Sequence, residues 1–239
     1  MAAILYLQVE KYIIKLIRAH ILLFFLFIQN ISLAKGLSLD LGIDVPKLIY
    51  ALENEKKYEG ELGIDVNNKL YALVQIGQSI QMKIFEEKNY THYTEGYYVR
   101  FGGYYTFLES HYTFLEPIKN NIRLGTGFFI CRSIFNDWAK YLIKGDFWGD
   151  YESISNKRDW KAYSVDIPLI VKVDIGKFFY GKITLSNRFL ITSLYTKNDF
   201  QIVHIPGFGR NHDYRYSPAM TVTLGFRIRL SKKSLQYDY

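Results

Sequence analysis

Only one cysteine, Cys131, stands in 239 residues. That excludes an intramolecular disulfide, Cys-x-x-Cys redox chemistry and a Cys-based zinc site together. Proline is scarce, at five, and 17 glycines are too few for a collagen-like or Pro-rich architecture. No run of Lys and Arg is long enough for a nucleic-acid tail, and a formal charge of +7 is modest for this length. The local signatures of common enzymes are missing too: G-x-S-x-G, H-E-x-x-H and a phosphate-binding glycine loop. What the chain has instead is large apolar side chains. With 21 Tyr and 17 Phe, aromatics reach 17 %, which excludes a disordered chain.

The first 34 residues have the order of a secretory signal peptide. Lys11, Lys15 and Arg18 precede an apolar stretch, Ile21 to Ile28, and a small-residue site follows at Ser32-Leu33-Ala34. Cleavage is expected after Ala34. The alternative is an uncleaved anchor, but Ala19 to Ala34 offers only 16 uncharged residues. A membrane-spanning helix needs about 20.

Residues 35–239 read as one domain with a period of two. Leu37, Leu39, Leu41, Ile43 and Val45 alternate with Ser38, Asp40, Gly42 and Asp44. Met220, Val222, Leu224, Phe226, Ile228 and Leu230 alternate in the same way with Thr221, Thr223, Gly225, Arg227 and Arg229. One apolar and one polar face mean strands, not helices. Eight such runs are expected, at 36–46, 58–66, 70–84, 93–106, 121–134, 161–175, 178–193 and 217–230. Pro168 inside the sixth points to a bulge or local break. Connections alternate long and short, apart from 107–120, where Tyr105-Thr-Phe-Leu-Glu109 repeats as Tyr112-Thr-Phe-Leu-Glu116. This is the loop pattern of outer-membrane barrels, whose termini are both periplasmic. The expected fold is therefore all-β: an eight-stranded antiparallel up-and-down transmembrane β-barrel.

Alternation alone does not say which face points inward. The apolar face is nearly free of charge, as a lipid-facing band must be. The opposite face holds Gly42, Gly63, Gly77, Gly96, Gly102, Gly125, Gly127 and Gly225, small residues that make room in a narrow barrel. It also balances seven acids, Asp40, Asp44, Glu59, Glu61, Asp65, Asp166 and Asp174, against seven bases, Arg100, Arg123, Lys172, Lys182, Arg188, Arg227 and Arg229. Equal numbers suit a closed interior, where charges must be paired. Closure should bring Asp40 or Asp44 to Arg227 or Arg229. Tyr58, Tyr71, Tyr93, Tyr105, Tyr163 and Phe179, at run ends, suit aromatic girdles.

The last strand, Thr223-Leu-Gly-Phe-Arg-Ile-Arg-Leu230, resembles the β-signal read by the barrel-assembly machinery, through Thr223, Gly225, Ile228 and Leu230. It departs from the commonest form by continuing to Tyr239. More broadly, the chain resembles small Bacteroidetes outer-membrane barrels of unknown function. Gly36 to Asp44, Ile205-Pro-Gly-Phe-Gly209 and Thr221 to Leu230 carry the likeness. The resemblance implies an OmpA- or OmpX-like eight-stranded barrel and brings no catalytic residues or cofactor with it.

His204 and His212 share a long loop with Asp199, Arg210 and Asp213, at no spacing that fits a metal site. The aromatics of 135–160 (Phe135, Trp138, Tyr141, Phe147, Trp148, Tyr151, Trp160) either pack over the rim or offer a binding surface. The leading expectation is a structural or surface-binding outer-membrane protein with no catalytic, cofactor or metal site, serving envelope integrity, adhesion or a larger envelope complex. Its expected partners are outer-membrane lipid, lipopolysaccharide and the assembly machinery, not nucleic acid. Removing Lys11, Lys15, Arg18 and Glu10 with the signal leaves a charge of about +5, which suits anionic lipopolysaccharide. Two other classes compete. A lipid A-modifying enzyme, an acyltransferase or deacylase, would need a Ser or His with a carboxylate partner at the outer ends of neighbouring strands, and His204 is its one candidate. A soluble lipocalin-like carrier would keep its apolar face inside.

Overall fold

Where polar and apolar residues alternate most strictly, as in Leu37–Asp44 and Met220–Ile228, the polar positions turn inward and the apolar positions outward. A computed structural model describes residues 37–53, 57–66, 68–115, 118–143, 149–192, 202–210 and 215–230. The targeting segment, 1–34, lies outside these residues. Eight strands carry the wall: β1 (Leu37–Asp44), β2 (Lys57–Val66), β3 (Leu70–Phe85), β4 (Tyr90–Leu115), β5 (Ile118–Ile143), β7 (Arg158–Ile175), β8 (Phe179–Leu190) and β11 (Tyr216–Arg229). Each pairs antiparallel with the next, and β11 returns to β1, so the ring closes without a free end strand. Three short strands are accessory. β6 (Tyr151–Ile154) extends one end of β5, while β9 (His204–Ile205) and β10 (Gly209–Arg210) form a small hairpin.

The stagger of the ring sets its width. Partners followed from Arg227 run through Asp40, Gly63, Leu73, Gly102, Phe129, Asp166 and Arg188 and return to β11 at Ser217, ten residues away. Ten residues of stagger over eight strands corresponds to a tilt of about 40° and a radius of about 8 Å. Such a ring has room for side chains and little else.

Connections now alternate without exception. Residues 68–69 and 176–178, and the facing ends of β4 and β5 at Leu115 and Ile118, lie at the end that also holds Leu37 and Leu230. Residues 45–53, 86–89, 149–157, 191–192 and 202–210 belong to the longer connections at the other end. The expected long connection 107–120 is corrected: β4 and β5 run on through it as a paired hairpin, with register shifts at Thr106/Leu108 and Thr113/Leu115. The Tyr-Thr-Phe-Leu repeat lengthens strand, not loop. The first long connection holds a helix, α1 (Val45–Glu53), that alternation gave no hint of. Asp44 caps it by accepting from the Lys47 N–H at 3.2 Å, and Pro46 suits the first turn, where an N–H has no helical partner. Pro168 interrupts the β5–β7 ladder opposite Gly127 and Phe128, and pairing resumes in the same register, so there is a gap and no bulge.

The outward face is apolar all the way round. Leu41, Ile76, Phe101, Ile134, Leu169, Leu185 and Met220, from seven strands, are each 44–61 % exposed. On β11 the outward row runs from Met220 to Leu230, which at this tilt is a band about 25 Å tall. Aromatics edge it. Phe178, Phe179 and Phe226 cluster with ring centroids 5.6–5.9 Å apart at the short-turn end. Phe189 and Tyr216 pair at 5.5 Å near the other end, beside Tyr163. Tyr71 does not belong to this edge. It points inward and is 2 % exposed, because the inward register of β3 runs through Tyr71, Leu73 and Gln75.

Candidate functional site

The interior is mostly polar, with a buried apolar cluster of Tyr71, Leu73, Tyr104, Phe129 and Ile170, and its shape follows from alternation of very small and very large residues. At Gly63, Gly77 and Gly225 an added Cβ would overlap the rings of Tyr71, Tyr98 and Tyr180. Glycine thus opens space on one strand for a phenol from another. These phenols divide the lumen into compartments that hold the charges.

The compartment nearest the short turns joins Asp40, Glu61, Asp65 and Asp174 to Arg123, Lys172, Lys182 and Arg227. Arg227 is its hub. Nε and Nη2 donate to the two oxygens of Asp40 at 2.8 and 3.0 Å, Nη1 donates to Asp174 at 2.7 Å, and Nη2 reaches Asp65 at 3.2 Å. Arg123 bridges Asp65 and Asp174 from the opposite wall. Lys172 pairs with Asp40, and its ammonium lies 3.9 Å from the centre of the Tyr71 ring. Lys182 pairs with Glu61, which also accepts from Tyr180 and Gln75 at 2.9 and 3.1 Å. Four acids meet four bases, so the compartment is neutral.

A second compartment lies beyond Gln75, whose Oε1 accepts from Arg100 at 2.8 Å. Arg100 and Arg188 flank Asp166 at 2.8 and 3.4 Å. Lys47 reaches in from α1 to Glu59, to Asp44 at 3.0 Å and to the Tyr98 hydroxyl at 3.3 Å. Here three acids meet three bases.

Thirteen of the fourteen expected interior charges are therefore buried. The exception is Arg229, which is exposed at the short-turn end of β11, beyond the last compartment. Lys47 takes its place in the balance. It escaped sequence reading because it sits on a helix in a connection, where period-two reasoning does not reach. The expected meeting across the seam is Asp40 with Arg227, which are register partners. Of the assembly-signal residues, Thr223 and Gly225 face inward while Ile228 and Leu230 face outward. The Leu230 N–H donates to the Leu37 carbonyl at 2.9 Å and completes the seam.

Above the second compartment, Ile202 to Gly209 folds back into the ring as a plug. Ile202, Ile205 and Phe208 are buried against Phe135, Ala162 and Leu190. Its carbonyls are satisfied from the wall: Ser133 donates to Pro206, Arg100 to Gly207, and Arg188 to Phe208. Gly207 has φ +75°, and an added Cβ would lie 2.6 Å from the Tyr98 ring and 2.9 Å from Cys131 Sγ. Only glycine satisfies both limits. This is the Ile-Pro-Gly-Phe-Gly stretch, placed by sequence merely before the final strand.

The outermost inward group is a clamp on Asp137. His92 Nε2 lies 3.3 Å from its carboxylate, Arg158 donates twice, and Trp160 Nε1 donates at 2.7 Å. The clamp was missed because the runs were ended at 93 and 134; continuing the same inward registers reaches His92 and Asp137.

The remaining candidates fall into place. His204 Nε2 lies 3.4 Å from Ser79 Oγ. His212, Asp199 and Asp213 lie outside the described residues, as do Phe147 and Trp148. Phe135 and Trp160 pack against the plug, Trp138 stacks on Tyr93 at 5.3 Å, and Tyr151 is exposed. Among the described residues no group of three or more His, Cys, Asp or Glu is placed to hold a metal.

Comparison with known proteins gives three findings. A family model described as "Domain of unknown function (DUF6048)" matches residues 17–233. No curated protein sequence matches the chain. Among solved structures it is similar to the N-terminal β-barrel domain of Pseudomonas aeruginosa OprF, at 10 % identity and a TM-score of 0.36, covering 82 % of this chain and 98 % of that one.

Proposed function

The chain belongs to the DUF6048 family, a domain of unknown function, and on that premise we propose that it is an integral outer-membrane β-barrel, closed to solutes, that presents its long connections outside the cell. One observation carries the reading: exposed Leu, Ile, Val, Met and Phe encircle the ring while paired carboxylates and bases fill it. In water that arrangement would expose far more contiguous apolar surface than a soluble monomer tolerates. In a bilayer both faces are satisfied. On this reading the short-turn end, which holds Leu37 and Leu230, is periplasmic. Thr223, Gly225, Ile228 and Leu230 serve insertion by the assembly machinery, as in the Bacteroidetes barrels the chain resembles. The contribution is structural or adhesive, or that of an accessory subunit in an envelope complex, with lipid and lipopolysaccharide as the surrounding partners.

Extraction tests the reading. The protein is expected to resist release from envelopes by alkaline or urea washes, to require detergent, and to migrate differently on gels before and after boiling. In planar bilayers it should give no steady conductance, because phenols, ion pairs and the plug fill a ring about 8 Å in radius. Recovery in the soluble fraction without detergent would refute the proposal.

A further inference from the structure

Outward-facing charge is almost absent from this wall, which makes its first occurrence informative. Below Arg132 the outward row of β5 reads Ile122, Leu124, Thr126, Phe128 and Ile130, and the register partner of Arg132 on β7 is Tyr163. Arg132 is exposed, its guanidinium 5.9 Å from the centre of the Tyr163 ring. Lys161, also exposed, pairs with Ile134 and so is the diagonal neighbour of Arg132 on the same outer face. Such diagonals are about 7–8 Å apart at the backbone. Neither base has a carboxylate partner among the described residues. The outward acids nearby, Glu95 and Asp159, are both register partners of Asn136, four residues farther along β5 from Arg132; Asp159 also stands two residues from Lys161 in its own row but makes no ion pair with it.

We propose that Arg132, Lys161 and Tyr163 form an outer-leaflet site for the phosphate headgroup of an anionic lipid. The inference rests on the membrane reading above and adds a location and a ligand class to it. Tyr163 stands at the edge of the apolar band, where aromatic rings mark the headgroup level. A guanidinium one strand away, with Ile130 and Ile134 on either side in its own row, must snorkel to that level and meet a counter-charge there. No carboxylate among the described residues pairs with either base, so the counter-charge is assigned to the membrane. A phosphomonoester fits between two bases at this spacing, and the phenol ring gives the lipid's first carbons an apolar wall. Inorganic phosphate offers the same oxygens, but only a lipid also covers the apolar edge beside Tyr163, so the source assigned is lipid.

Native mass spectrometry of the detergent-purified chain tests this with two probes, phosphatidic acid and phosphatidylcholine. The protein is expected to retain phosphatidic acid about tenfold or more over phosphatidylcholine, from two bases near a membrane surface. The preference should fall to near parity in Arg132→Gln/Lys161→Gln. It should persist in Lys69→Gln/Lys177→Gln, which removes two bases at the short-turn end. Heat-dependent gel migration checks that each variant is folded. An unchanged preference in the Arg132/Lys161 variant, equal retention of both lipids by the native chain, or competition by inorganic phosphate alone would overturn the site. A chain that stays soluble without detergent would instead overturn the membrane reading itself.

Discussion

Replacing Arg227 with methionine is expected to destabilise the folded barrel by roughly 3–5 kcal/mol, the usual consequence of removing one partner from a buried ion-pair network. The substitution keeps an apolar stem of similar length but leaves Asp40, Asp65 and Asp174 with only Lys172 and Arg123 to answer them. One uncompensated negative charge then stays in the lumen. Neutralising a carboxylate at the same time removes that excess, so Arg227→Met/Asp40→Asn should recover most of the loss. Arg229→Met, two residues away on the exposed rim, should change stability by no more than about 0.5 kcal/mol. Urea midpoints in detergent, read from heat-dependent gel migration, separate the three variants. Equal effects at 227 and 229 would mean that Arg227 is solvated.

Gly207→Val is expected to drive the plug out of the lumen while the wall stays closed. A valine at φ +75° costs about 1–2 kcal/mol in backbone strain, and its Cβ would stand 2.6–2.7 Å from the Tyr98 ring. No small shift relieves both. The chain escapes by withdrawing Ile205 and Phe208, which removes the carbonyl acceptors of Arg100, Arg188 and Ser133. The single cysteine reports this directly. Cys131 is 0 % exposed beneath Gly207, so maleimide should reach it in the native barrel only after denaturation. In folded Gly207→Val it should react without denaturant. Gly149→Ala, also at positive φ but with open space around its Cβ, should leave Cys131 protected. Protection of Cys131 in a folded valine variant would show that the plug does not depend on glycine.

Most of the wall was legible because its signal is local and repeated. Two registers, the inward one through Asp40 and the one through Arg227, already placed these groups across a seam from residues nearly two hundred positions apart. What escaped was of two kinds. Some residues lie beyond the ends of the alternating runs: β4 begins already at Tyr90 and β5 continues to Ile143, so His92 and Asp137 belong to the same inward rows as Arg100 and Arg123. Others enter the lumen from outside the wall. Lys47 arrives on α1, and Ile205 to Phe208 arrive on a connection; neither carries period-two alternation, and both are placed only by long-range contacts. Arg229 was misjudged for the converse reason, since alternation continues past the level at which the lumen stops.

Collision rates of spin labels on β3 and β8 measure the orientation of the wall most directly. Single cysteines at Val74, Ile76, Ile183 and Leu185, and at inward Thr184, are labelled in a Cys131→Ser background, in lipid vesicles. The outward four are expected to collide freely with dissolved oxygen, which concentrates in hydrocarbon, and rarely with a water-soluble nickel chelate, while Thr184 meets neither. Frequent collisions of the outward labels with the nickel chelate would contradict the account, because the apolar face would then be standing in water.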